Sequence, residues 1–384
     1  MVDTKKYKTR TMFRKRPNGS VKGMWLLAAD IGYSSVKIFS QNSCCVFPSF
    51  AEKFTGETVG NLPDWHIIYR DLDTGEKWLV GEAAQNDVSQ GDATVSEEAV
   101  FGRARYDDPM FLVLARTGLG VGMLENEFGA PNDKPLYVQT GLPPRYMKSD
   151  TPRLLNALAG KHRFSLKIGD APEKEFNITI KRDRIGVMEQ PKGTLMSVAI
   201  GNDHRYVPGA RNYLNKNILI FDAGFGTLDI YPIMNNHVGE KQTFPEFSMK
   251  QVLKDTCEVI YERYGEEVSL IGMQKCLGDG YIRCHDKFTS RKQEFGDILE
   301  ETSEKICDAA LEKLGQIYPL YEYDYLVITG GTGASWNEQI REKLAGLDSL
   351  EVLDGNQNDT SLPFLFANVR GYFMYLYEKM KRKS

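Results

Sequence analysis

Asp30-Ile31-Gly32-Tyr33-Ser34-Ser35-Val36-Lys37 and Asp222-Ala223-Gly224-Phe225-Gly226-Thr227-Leu228-Asp229 are two copies of one pattern. Each places a carboxylate at the end of an apolar run, then a glycine-rich turn, then an alternating stretch. Met24–Ala29 precedes the first copy and Asn217–Phe221 the second, and both runs suit buried strands. Val36-Lys37-Ile38-Phe39 alternates as the returning strand of a hairpin does. Glycine tolerates the positive φ of tight turns and lets backbone come close to a ligand. Successive N–H groups, with Ser34, Ser35 and Thr227 hydroxyls beside them, make a concavity for anions. A carboxylate at each strand end repels phosphate alone, but with Mg²⁺ between them Asp30 and Asp222 become favourable, as metal-side residues. Lys37 adds a point charge toward phosphate oxygens.

One such turn is ordinary hairpin chemistry. Two, separated by nearly half the chain and joined by a third glycine-rich segment, Gly330-Gly331-Thr332-Gly333 after the apolar run Tyr325–Thr329, are not. The spacing is not GxxxxGK[ST], which excludes the phosphate-loop NTPase pattern. Gly118-Leu119-Gly120-Val121-Gly122 superficially resembles a dinucleotide fingerprint but lacks a preceding buried strand, so it reads as a loop.

The chain of 384 residues is long enough for about two domains. A net charge of −4 argues against nucleic-acid coating by the folded body. No apolar run approaches the ~18 residues of a membrane span, and the N-terminus lacks a secretory apolar region. A cytoplasmic protein with no membrane partner is the expectation. Cys44 and Cys45 are adjacent, and Cys276 and Cys284 bracket a Gly-Asp-Gly turn. Neither grouping has CxxC spacing, so the six cysteines read as reduced thiols. Residues 1–23 hold eight basic side chains against Asp3 alone and read as an unstructured basic arm; the functional alternative is an electrostatic contact with DNA, membrane or a neighbouring subunit.

Further along, Asp71–Val80 reads as a hairpin and Pro135–Gln139 as a strand ending at Thr140-Gly141-Leu142-Pro143-Pro144. Ser149 or Asp150 is placed to cap a helix with Pro152 in its first turn. Phe164–Ile168, Glu175–Lys181 and Ile185–Met188 are strand-like. Helices are expected over about 247–264, 295–317 and 367–380, the second with Ile298, Ile306, Ala310, Leu314 and Ile317 largely on one face. Strands, crossover helices and a duplicated start make an α/β protein with two related halves.

These residues resemble the superfamily of actin, the sugar kinases and the DnaK chaperones. Asp30–Lys37 is similar to its first phosphate segment, Phe221–Asp229 to its second, and Ile328–Gly333 to its adenosine segment. Thr140-Gly141-Leu142-Pro143 and Phe366-Ala367-Asn368-Val369-Arg370-Gly371-Tyr372 resemble segments of the ParM branch of plasmid-segregation actins. The resemblance runs from residue 25 to 380. It implies an actin-like α/β fold of two RNase H-like domains flanking a nucleotide cleft. Domain I would comprise 24–216, with the C-terminal helix 361–384 returning to it and a small variable subdomain at about 50–115. Domain II would comprise 217–360.

By the same resemblance, ATP or GTP with Mg²⁺ would be held by Asp30, Gly32, Ser34, Ser35, Lys37, Gly224, Gly226, Thr227, Gly330, Gly331 and Thr332. Asp30 and Asp222 would face the metal. Hydrolysis needs an oriented water, and Gln190, with Glu189 as second choice, follows the connecting strand at the place where that residue is expected; Asp222 completes the catalytic set. Tyr33 and Phe225 are bulky where relatives often carry Gly or Ser, and facing outward they would leave the turns intact. The implied activity is nucleotide-driven assembly into a homopolymeric filament, with a DNA-bound adaptor as partner and plasmid segregation as outcome. A small-molecule kinase on this fold would need a catalytic Asp such as Asp108 or Asp133. A chaperone would need a peptide-binding domain, for which no residues are expected after 384, and a membrane-associated bacterial actin an amphipathic terminus.

Overall fold

The computed structural model describes residues 2–92 and 101–383, without the side chains of Ala104, Arg211, Asn212 and Leu214. Two sheets repeat one topology, each starting from one of the paired hairpins. In the first, β1 (Met12–Lys15), β4 (Ser43–Pro48), β3 (Ser35–Ser40), β2 (Trp25–Ile31), β8 (Leu136–Leu142) and β11 (Ile185–Glu189) lie side by side in that order. In the second the order is β14 (His237–Val238), β13 (Leu228–Met234), β12 (Ile218–Ala223), β18 (Tyr325–Thr329) and β19 (Glu351–Asp354), with β15 (Gln242–Phe244) also on β13. Each sheet thus has an antiparallel hairpin followed by two parallel strands. A third, wholly antiparallel sheet runs β10 (Lys174–Ile180), β9 (Gly160–Ile168), β6 (Ile67–Asp71), β7 (Lys77–Val80), β5 (Ala51–Lys53). β16 (Tyr281–His285) and β17 (Ser290–Glu294) form a separate hairpin.

The described α-helices, in chain order, are α1 (Glu82–Asp87), α2 (Pro109–Val121), α3 (Met147–Leu158), α4 (Gln190–Ala199), α5 (Ala210–Asn215), α6 (Met249–Tyr264), α7 (Leu270–Asp279), α8 (Gly296–Ile317), α9 (Gly331–Leu344) and α10 (Ala367–Lys381).

β2 and β12 are apolar on consecutive residues because helices or sheet cover both faces. Leu27, Ala29, Val36 and Ile38 join α2 and the third sheet in one core. Leu26, Ala28 and Phe39 on the other face pack Val369, Phe373 and Leu376 of α10. In the second sheet, Leu219 and Phe221 face α6 and α8, while Ile218 and Ile220 face Leu195 and Val198 of α4. The third sheet draws strands from both 51–80 and 160–180, so residues 50–115 do not make a module by themselves; residues 93–100 of that stretch lie outside the described residues.

Three expectations need correction. The arm is ordered: Thr4–Tyr7 forms a 3₁₀ turn, and β1 pairs antiparallel with β4 from Met12↔Val46 to Lys15↔Ser43. Its charges misled because their partners are remote in sequence, Lys6 with Glu300 at 3.3 Å and Arg16 with Asp359 at 2.7 Å. The Gly118–Gly122 segment is not a loop, since Gly118 and Gly120 lie in α2 and Gly122 ends it. These glycines let the helix lie close to its neighbours: a Cβ at Gly118 would come 2.9 Å from Ile38, and one at Gly120 2.7 Å from Leu166. Packing overrode the low helix propensity of glycine. Finally, α3 begins at Met147, two residues before the expected cap, and Asp150 is buried in its first turn, bonded to Arg103.

Candidate functional site

A cleft of about 280 Å³ opens between the two repeated sheets, where the hairpins β2–β3 and β12–β13 turn toward one another. Both turns close alike: the Gly32 N–H donates to the Ser35 carbonyl at 3.0 Å, and the Gly224 N–H to the Thr227 carbonyl at 2.9 Å. Equivalent registers put Lys37 opposite Asp30 and Asp229 opposite Asp222. Behind them β18 delivers the N-terminus of α9. Gly330 has φ +87°, and a Cβ there would sit 2.1 Å from the Ala223 carbonyl oxygen, so glycine is required for the close approach. The Thr332 hydroxyl then donates to the Gly224 carbonyl at 2.7 Å.

The two carboxylates are held differently. Lys37 Nζ lies 2.8 Å from Asp30 Oδ2, and Gln190 Nε2 donates to Asp30 Oδ1 at 3.3 Å. Asp222 Oδ2 accepts from the Asn368 amide at 2.7 Å, and Asn368 Oδ1 accepts from the Thr194 hydroxyl at 2.6 Å. Burial pushes the Asp222 carboxyl up to about 6, against the Asn368 bond and with the Asp30 charge adding to the rise. Burial pushes Asp229 up to about 7, with the Asp222 charge adding, although Thr243 and Thr227 hydroxyls donate to it at 2.5 and 3.0 Å. Tyr372 underlies the site with its ring over Gly141 and Gly193, where a Cβ would come within 2.1 and 2.5 Å. Among the described residues, the buried hydroxyls of Tyr372, Thr140 and Thr329 have no hydrogen-bond partner.

Contacts across the cleft mouth join the two halves. Tyr33 lies on the second hairpin, where a Cβ at Gly226 would be 2.6 Å from its ring. Phe225 and Phe101 rings are 5.0 Å apart, and the Arg105 guanidinium stacks on Tyr33 at 4.9 Å while donating to the Ile31 carbonyl. The bulky turn residues therefore face the opposing half, and the outward expectation is corrected. Gln90, from the segment after α1, pairs with Arg283 of β16: the Arg283 N–H donates to Gln90 Oε1 at 2.7 Å, and Gln90 Nε2 donates to the Arg283 carbonyl at 3.1 Å.

Asp30, Gly32, Ser34, Ser35, Lys37, Gln190, Asp222, Gly224, Gly226, Thr227, Gly330, Gly331 and Thr332 all line this one cleft. Glu189 does not. Its carboxylate pairs with Lys241 at 2.5 Å and Lys192 at 3.1 Å and accepts from the Tyr231 hydroxyl, and although burial opposes them the two ammonium groups hold it below the usual glutamate range. Asn368, Asp229, Arg105 and Gln274 also line the cleft and were not singled out as site residues. Asn368 sat inside a quoted segment, but only folding shows that its amide reaches Asp222 across 146 residues of chain. Among the described residues no group of three or more His, Cys, Asp or Glu makes a metal cage. Two carboxylates facing one cleft still fit Mg²⁺, which keeps waters and binds through one or two carboxylates plus phosphate oxygens.

The family model for the actin-like proteins' N-terminal domain matches residues 28–193. No curated protein sequence matches. Among solved structures, the pCBH ParM non-polymerisable quadruple mutant is 20% identical with TM-score 0.72, over 92% of this chain and 99% of that one. A 15-stranded ParM filament from Clostridium botulinum is 17% identical with TM-score 0.68, over 92% and 99%. An archaeal actin homolog, Ta0583, in complex with ADP, is 15% identical with TM-score 0.59, over 92% and 100%. At these identities the likeness establishes the fold. Residues 28–193 match the N-terminal domain of the actin-like proteins, and the whole chain has the actin-like fold seen in the ParM proteins.

Proposed function

We propose that this chain binds a nucleoside triphosphate with Mg²⁺ in the cleft, hydrolyses it, and assembles into filaments according to which nucleotide it holds. The observation that carries the reading is the convergence of Asp30 and Asp222, from equivalent positions of two hairpins, on one cleft. The N–H groups of the two turns and the Lys37 ammonium cradle phosphates; Asp30 and Asp222 hold the cation side; Gly330, Gly331 and Thr332 border the nucleoside. Bound Mg²⁺ would neutralise phosphate charge. Gln190, 3.3 Å from Asp30, is placed to orient a water. Glu189, tied into its lysine pairs, is not proposed for that role.

The division into domain I (24–216 with the C-terminal helix) and domain II (217–360) belongs to this reading, each half holding one hairpin. The ADP complex of the archaeal homolog supports nucleotide binding, and the Clostridium botulinum filament supports head-to-tail self-association. ATP or GTP as fuel, a DNA-bound adaptor, plasmid or other DNA segregation and a cytoplasmic location follow from the ParM likeness. Among the described residues no helix is long and apolar enough to cross a membrane. The kinase candidates do not reach the cleft: Asp108 caps α2, and Asp133 sits exposed in a turn with φ +60°.

Right-angle light scattering after addition of ATP or GTP with Mg²⁺, followed by electron microscopy and phosphate release, tests the proposal. Scattering that rises and decays with phosphate release, with filaments in the micrographs, is expected. Nucleotide turnover only with an added sugar, and no polymer, would replace it with the kinase.

A further inference from the structure

The N-terminal segment, expected to be an unstructured arm, is fastened to both halves. On the second half, the buried Thr4 hydroxyl donates to the Leu277 carbonyl of α7 at 2.8 Å, Lys6 pairs with Glu300 of α8, and Val2 covers Gly296, where a Cβ would come 3.0 Å away. On the first half, β1 extends the sheet at β4, and Arg14 donates to the Ser361 carbonyl at 2.6 Å. Between these anchorages Lys6, Tyr7, Lys8 and Thr9 line the cleft.

We propose that this segment is a third wall of the nucleotide site, with Lys8 as its charged contact to the anionic ligand, and that its two anchorages hold the halves closed around that ligand. The inference rests on the nucleotide reading above. From Tyr7 to Met12 the chain takes five steps and spans at most about 18 Å when fully extended, so wide opening requires one anchorage to release. Lys8 Nζ lies over the last turn of α7, where a Cβ at Gly278 would be 2.9 Å away, and among the described residues it has no hydrogen-bond partner. This ammonium faces the cleft in contact with solvent rather than in a protein ion pair, so an anion in the cleft supplies it with a charge-assisted partner. Burial draws its pKa below the usual lysine range, opposed by the Glu82 carboxylate from the first half and that of Asp279 from the second. The cation therefore sits between charges of both halves.

Two variants of the full chain test this. Lys8→Ala removes the contact, and Thr4→Asp breaks the anchorage on α7. With a fluorescent ADP analogue and Mg²⁺, the dissociation rate should rise about tenfold in each, as expected for losing a charge-assisted bond or the structure that holds it. Without nucleotide, Thr4→Asp should raise amide hydrogen exchange at 30–37 and 222–229 at least about tenfold, as the halves part. Variants that keep the wild-type circular dichroism, dissociation rate and exchange pattern overturn the proposal. If wild type binds no analogue, the nucleotide reading fails and the contact at Lys8 with it; the exchange measurement then decides the fastening alone, unchanged exchange overturning it.

Discussion

Asp229 stands in the second hairpin where Lys37 stands in the first. The ladder pairs Asp30 with Lys37 and Asp222 with Asp229, so one strand-end carboxylate is neutralised by the protein and the other is set beside a second acid. The pair is buried, with Asp222 5% and Asp229 1% exposed. Such an arrangement favours protonation or a bound cation.

Both carboxyls have folded pKa values above the 3.8 of a free aspartate, about 6 and about 7. Between 3.8 and about 7 the folded chain therefore holds more protons than the unfolded chain, and the stability from these groups, full below that window, falls as pH rises through it. Asp229→Asn, neutral throughout, removes part of the loss. Its Tm relative to wild type should increase between pH 5 and pH 8, by roughly 1–2 °C for each kcal/mol recovered in a chain of this length. Thermal unfolding in EDTA at the two pH values checks this; an equal difference at both would contradict the shifted titration.

Asn368→Ala leaves Asp222 without its donor and the Thr194 hydroxyl without its acceptor. A hydrogen bond to a charged group is worth about 1.5–3 kcal/mol, so Mg²⁺-dependent nucleotide affinity should fall about tenfold or more. Equilibrium titration of a fluorescent nucleotide measures it, and wild-type affinity would remove Asn368 from the site.

Gln190→Ala should slow phosphate release by about 10²-fold while leaving nucleotide affinity within about threefold. Single-turnover phosphate release alongside binding separates the two. Filaments that disassemble at the wild-type rate would contradict the role.

The fold was legible because its signals are local. Two apolar strands ending in Asp-x-Gly turns fix the hairpins, and a third strand before Gly330 fixes the partner edge of the second sheet. Lys37, on the strand after the first turn, was legible as a residue facing that turn, whereas Gln190 was expected only from the resemblance; both line the cleft. What stayed hidden depends on contacts distant in sequence. Asn368 meets Asp222 only because α10 returns against α4 and β2, and Glu189 was withdrawn by Lys241, whose approach no local pattern encodes. The arm and the α2 glycines misled for one reason: charge and glycine content describe a segment in isolation, while its neighbours decided its structure.

Those glycines give a stability test. Gly120→Val would push methyl groups into Leu166 and Phe164, where even a Cβ comes within 2.7 and 2.9 Å. Overpacking of this kind costs about 1–3 kcal/mol. Urea denaturation should show a lower midpoint, and an unchanged midpoint would mean that α2 can shift away from the sheet.

Gln90→Ala removes both side-chain bonds to the Arg283 backbone, part of the contact that joins the halves at the cleft mouth. Nucleotide exchange should quicken several-fold with hydrolysis in single turnover unchanged. Exchange at the wild-type rate would show that this contact does not gate the cleft.

The most direct measurement is calorimetric titration of ADP into wild type, Asp30→Ala and Asp222→Ala, each with Mg²⁺ and with EDTA. Binding to wild type that is strengthened by Mg²⁺, with the Mg²⁺ gain lost in both variants, is the predicted result. Equal binding by all three proteins, indifferent to the metal, would contradict a site built on those two carboxylates.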